Sequence, residues 1–137
     1  MQRFLITLLL VTLLISCGTS QSPQTTVVVQ TKPGTGIITG TMLDENDAPI
    51  EGLGVYVATI EGDGVIGFSV NNAPRGITES NGTFIIPDIQ PGTYSLAYWT
   101  PGPSGLIGDP KGIDQPVKVT VTVGQTVSAG NLIIQRP

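Results

Sequence analysis

From Gly36 onward, apolar side chains recur at every second position, the period of a strand that turns one face to a core. GIITGTML, residues 36–43, predicts a first strand with apolar residues on both faces, so its register stays open. The turn-rich DENDAPIEG leads to LGVYVATI (53–60), where Leu53, Val55 and Val57 share a face. VIGFSV (65–70) aligns Ile66, Phe68 and Val70 as a third strand. Residues 77–79 and 83–86 predict a hairpin across Ser80-Asn81-Gly82, because Asn-Gly readily supplies the positive φ of such turns. Beyond Pro91-Gly92, TYSLAYW sets Tyr94, Leu96 and Tyr98 on one side. VKVTVTV (117–123) sends four valines one way and Lys118, Thr120 and Thr122 the other, and a last strand covers 127–135. No segment carries a helical period.

Seven or eight short strands, each with one apolar face, bury that face by packing sheet on sheet. The expected fold is therefore all-β, a seven- to eight-stranded antiparallel β-sandwich. A chain of 137 residues has room for one such core and not for two. The 18 Gly and 11 Pro fit strands joined by tight turns.

Charge and composition remove several function classes. Six basic residues stand against ten acidic ones, and Arg3, Lys32, Arg75, Lys111, Lys118 and Arg136 are scattered singly. A nucleic-acid backbone needs clustered cations, so no nucleic-acid partner is expected. There is no His and one Cys, which excludes a His-dependent triad, a Cys–His dyad, a Cys/His zinc site and an internal disulfide. The acidic residues form no recognisable catalytic pair, so no enzyme activity and no cofactor are expected.

The N-terminus, MQRFLITLLLVTLLISCGTS, breaks the strand pattern. Arg3 precedes an apolar run from Phe4 to Ile15, short for a membrane span and suited to a secretory signal. Its end, Leu14-Ile15-Ser16-Cys17, resembles the bacterial lipoprotein signal, with an aliphatic residue at −3 and a small one at −1. The resemblance implies that residues 1–16 are removed and that Cys17 is lipidated, tying the protein to a membrane. Two or three acyl chains make a stable anchor where one does not. Gly18 in place of Asp points to the outer membrane in a Gram-negative host, and otherwise to the outer face of the cell membrane. Residues 17–35 read as the lipidated Cys followed by a solvated tether rich in Ser, Thr, Gln and Pro.

Residues 36–137 carry a second resemblance. IITGTMLDENDAPIEGLGVYV, ITESNGTFIIPDIQPGTYSLAY and VKVTVTVGQTVSAGNLII are similar to the carboxypeptidase regulatory-like domains. Gly40, Met42 and Asp44 match their first element, and Gly52, Leu53, Val55 and Val57 the second. Thr78, Gly82 and Phe84 match the third, while Pro91, Gly92, Tyr94 and Leu96 match the fourth. Glu79 stands where those domains usually have Asp, Leu53 where they have Ala, and two loops are longer. The resemblance implies a transthyretin-like, or prealbumin-like, Greek-key sandwich that is non-catalytic and serves in protein interaction or envelope structure. These residues make turns and core, so they specify fold and say little of ligand.

Three places remain as candidates for contact. Trp99 shares a face with Ser95 and Ala97 at a strand end, where an exposed indole could stack on a sugar ring. We expect instead that the following loop folds back and covers it, since Trp usually ends largely buried. That loop, residues 100–116, carries four Gly and four Pro together with Leu106 and Ile107. With residues 61–76 it is the expected place for an envelope protein or polysaccharide to bind. Asp44, Asn46 and Asp47 offer calcium oxygens without the spacing that orders them around an ion, and a polar turn explains them as well.

Overall fold

A computed structural model of the chain describes residues 29–61, 65–102, 104–110 and 115–135. The strands are β1 (Gly36–Leu43), β2 (Gly54–Glu61), β3 (Val65–Gly67), β4 (Arg75–Ile77), β5 (Thr83–Ile89), β6 (Gly92–Trp99), β7 (Ser104–Leu106), β8 (Lys118–Val121) and β9 (Thr126–Ile133). Among the described residues there is no helix. One sheet has the order β5-β1-β9; in the other, β2 and β6 are central, flanked by β3 and β4 on one side and β7 and β8 on the other. The fold is an all-β sandwich.

Inward positions of both sheets make one core. Ile38 and Met42 of β1, Val55 and Val57 of β2, Phe84 and Ile86 of β5, Leu96 of β6, Val119 and Val121 of β8 and Leu132 of β9 pack together. Each such side chain contributes roughly 1.5–3 kcal/mol when fully buried. The alternation in β2 and β8 predicted the inward residues of those strands. Tyr94 and Tyr98 also lean on the core, as their spacing implied.

Several boundaries differ from the sequence expectation. Val123 is 58% exposed, because β8 stops at Val121 and the chain turns there. The third strand is short: after Gly67 the backbone forms a turn in which the Ala73 amide donates to the Ser69 carbonyl at 2.8 Å. The Asn81-Gly82 turn forms, with Gly82 at φ 78° and the Glu79 amide bonded to the Thr83 carbonyl at 2.8 Å. Its two arms nevertheless separate, β4 pairing with β2 and β5 with β1. The turn is thus a corner between sheets. A further strand, β7, lies inside the expected loop 100–116, and β1 pairs with β9 in parallel.

Strand directions define two poles. β1 and β9 end at the same pole where β2, β4 and β6 place Gly54, Ile77 and Trp99 side by side. The chain enters β1 at the opposite pole, near Ile89 and Gly92. Seven steps of about 3.3 Å along β1 separate the two by about 23 Å. At this entry pole, the near pole as against the far pole of Gly54, Ile77 and Trp99, the residues before β1 are held down. The Lys32 amide donates to Asp88 Oδ1 at 2.7 Å, and Lys32 Nζ lies 3.7 Å from Asp88 Oδ2.

Candidate functional site

The far pole is built around Gly54, the first residue of β2. On one side it pairs with Ile77 of β4, on the other with Trp99 of β6. With strands about 4.8 Å apart, the two large side chains stand roughly 10 Å from each other across a residue that has no side chain. Ile77 is 63% exposed and Trp99 38%. The next row reads Arg75, Tyr56, Ala97 and Leu106.

Tyr56 fills the notch. Val55 and Val57 face the core, so Tyr56 lies on the outer face of its sheet, yet it is buried. Its ring folds back over Gly54, where a Cβ would meet Tyr56 Cε2 at 2.8 Å. Phe68 packs beside it, with ring centroids 5.8 Å apart and tilted at 40°. The Arg75 guanidinium sits 5.8 Å from the Tyr56 centroid, and its Nη1 donates to the Tyr56 hydroxyl at 3.3 Å. Those contacts hold the cation beside the groove by an aromatic face and a phenol, with no carboxylate partner among the described residues.

The rim is pinned by Thr78. Its hydroxyl accepts the Leu53 amide at 2.9 Å, its carbonyl accepts the Gly52 amide at 2.9 Å, and its own amide donates to the Leu53 carbonyl at 3.0 Å. These bonds fix residues 51–53 against the end of β4 and place Glu51 on the rim. The resulting groove, about 430 Å³, runs from Ile50, Glu51 and Ile134 onto the face carrying Tyr56, Arg75, Ile77 and Trp99. Among the described residues, the apolar walls stand beside the Arg75 guanidinium and the Glu51 carboxylate.

Trp99 departs from expectation in part. The following loop does fold back, since Ser104 of β7 pairs with Trp99, but it leaves the indole exposed in the groove. Ser95 and Ala97, on the same face, are buried, and Ser95 Oγ donates to the Val117 carbonyl at 2.8 Å. Leu106 and Ile107 separate. Leu106 is 42% exposed on β7, whereas Ile107 is fully buried in the core and offers nothing to a partner. The reason is that the Ile107 amide donates to the Leu96 carbonyl and its carbonyl accepts from Val117, which turns its side chain inward.

The acidic turn after β1 is a folding element. Asp44 Oδ1 accepts the amides of Asn46 and Ala48, both at 2.9 Å, and Asp47 takes φ 60°. Among the described residues no three acidic or sulfur ligands gather where they could hold a metal. Cys17 lies outside the described residues, as does part of each expected contact loop.

Arg75, Ile77, Tyr56 and Glu51 are groove residues that the sequence did not single out. Tyr56 gave the one usable signal: an aromatic residue between two core valines belongs to the outward face and needs cover there.

Among solved structures, the chain is similar to the major pilin subunit of Bacillus cereus at 21% identity and a TM-score of 0.47, over 76% of this chain and 31% of that one. It is similar to the Bacillus anthracis TIE protein at 18% identity and a TM-score of 0.45, over 73% of this chain and 16% of that one. It thus spans under a third of the length of either. A dioxygenase domain from a dioxygenase carbohydrate-binding protein fusion of Streptomyces sp. SirexAA-E is similar at 12% identity and a TM-score of 0.43, over 81% of this chain and 86% of that one. No curated protein matches the chain. Residues 54–129, from the floor of the groove through the first half of β9, match a family model; the chain belongs to the family described as polysaccharide lyase family 4, domain II.

Proposed function

We propose that this chain is a non-catalytic module of the cell envelope, anchored through lipid on Cys17, that presents its far pole to an envelope protein or holds it away from the membrane. Its role would be that of a carboxypeptidase regulatory-like domain, whose turn and core residues it resembles. One observation carries the reading. The chain enters at one pole, strapped by Asp88 to residue 32, and the groove opens at the other. A membrane anchor before residue 29 therefore joins the module at the pole opposite the groove.

Two measurements test it. Intact mass of the mature protein should show acylated Cys17 at the N-terminus; an unmodified thiol there would remove the anchor. A photo-cross-linking residue at Ile77 should capture a defined envelope partner that the same residue at Val123, on the near pole, does not. Equal capture at both sites would remove the far pole as the contact surface.

A second reading is favoured by Trp99. An exposed indole flanked by a guanidinium and a carboxylate is suited to a sugar ring, whose apolar face stacks while its hydroxyls donate and accept. In this reading the same groove binds a polysaccharide of the envelope or its surroundings.

A further inference from the structure

Resting on the carbohydrate reading of this groove, we infer that its occupant is an uncharged pyranose polysaccharide and that uronate-containing chains are excluded. The groove holds charges of both signs. Arg75 is tied to Tyr56 by the 3.3 Å hydrogen bond and the ring contact, and Glu51 is set on the rim by the Thr78 bonds to residues 52 and 53. Neither forms an ion pair among the described residues. A neutral sugar meets a donor and an acceptor there with no like charge opposed. A charged one of either sign meets attraction at one group and repulsion at the other.

The surroundings break that balance against anions. The loops that close this pole, residues 44–53 and 78–82, also carry exposed Glu45, Asp47 and Glu79. Lys32 is at the near pole, and Lys118 lies on β8 opposite Ser95, outside the groove. A polymer with a carboxylate on each ring would therefore lay its charges along an acidic rim with Arg75 as the groove's cation among the described residues. The whole chain, at a formal net charge of −4, adds to the repulsion.

The single tryptophan makes the test direct, since fluorescence of the full chain reports on Trp99 alone. The protein is titrated with a neutral β-glucan, xylan or mannan, with polygalacturonate and with chitosan, each at low and high salt. The expected result is a saturable shift with a neutral polymer that salt leaves unchanged. Polygalacturonate should bind roughly fivefold or more weakly at low salt, the gap narrowing as ions screen the rim. Glu79→Gln, on an exposed residue of the same pole outside the groove lining, should keep neutral binding within about threefold and strengthen polygalacturonate by roughly twofold. Tighter binding of polygalacturonate or chitosan than of any neutral polymer would overturn the inference and leave the carbohydrate reading standing. No shift with any polymer, together with no retention of the chain on the immobilised glycans, would overturn both.

Discussion

The ring of Phe84 occupies the space that a side chain on Gly40 would need. The two residues face each other across β1 and β5, and a Cβ on Gly40 would lie 2.7 Å from Phe84 Cζ. Phe84 is among the largest fully buried side chains, so the pair is a core contact in which one strand supplies volume and the other supplies absence. Gly40→Ala should therefore destabilise the chain by about 1–3 kcal/mol through overpacking. Phe84→Leu in the Gly40→Ala background should return part of that loss, although Phe84→Leu alone is destabilising. Urea unfolding of the four proteins gives the coupling; simple additivity would mean that the two side chains do not compete for space.

Gly54 repeats the arrangement on the outer face, with a different consequence. A Cβ there meets Tyr56 Cε2 at 2.8 Å, the ring of a side chain that can turn away, while the nearest backbone atom, the Trp99 carbonyl oxygen, is at 3.5 Å. Gly54→Ala should leave the fold intact and displace the Tyr56 ring, and Arg75 with it. Acrylamide quenching of Trp99 should change measurably, with less than about 1 kcal/mol lost in stability if the ring finds new cover. Unchanged quenching would show that Tyr56 does not shape the groove.

The strand alternation made the core of β2 and β8 legible because alternate residues there point inward, although Tyr56 and Ala58 on the other face of β2 are covered as well. It left β1 ambiguous, since the inward position between Ile38 and Met42 is Gly40 and the apolar signal sits on Phe84 of the partner strand. Val123 continued the pattern in sequence but lies past the last β8 pairing. The groove was still less legible. It gathers Glu51, Gly54, Arg75, Ile77 and Trp99, residues that only the pairing of β2 with β4 and β6 brings together. Leu106 and Ile107 show the same limit at the scale of one bond: neighbours in a Gly- and Pro-rich loop, one outside and one in the core, sorted by where β7 pairs.

Asn-Gly sequences lose ammonia when the glycine amide attacks the asparagine side chain, and Asn81-Gly82 is protected against this in the fold. The Gly82 amide donates to the Glu79 carbonyl at 2.8 Å. Asn81 Oδ1 accepts both the amide and the hydroxyl of Thr83, at 3.0 and 2.7 Å. Deamidation at Asn81, followed by peptide mass spectrometry, should be at least several-fold slower in the native protein than in denaturant at the same pH. Equal rates would mean that the turn is mostly open in the native protein, so that its hydrogen bonds give no protection.

Asp88 joins an unusual backbone to the strap before β1. Its φ is 62°, a region that Asn tolerates and β-branched residues do not, and its carboxylate accepts the Lys32 amide. The Lys32–Asp88 ion pair is largely exposed and adds little by itself. Asp88→Asn should therefore keep most of the stability, because an amide oxygen can still accept the Lys32 N–H and the backbone is still tolerated. Asp88→Val should cost about 1–3 kcal/mol, losing the acceptor and straining the backbone together. Limited proteolysis distinguishes the two effects. If the strap is held by this hydrogen bond, cleavage between residues 29 and 35 should speed up in Asp88→Val and in Asp88→Gly, which relieves the backbone but has no acceptor, while Asp88→Asn stays like the parent. Protection of the strap in Asp88→Gly would assign the role to backbone geometry and remove the side chain from it.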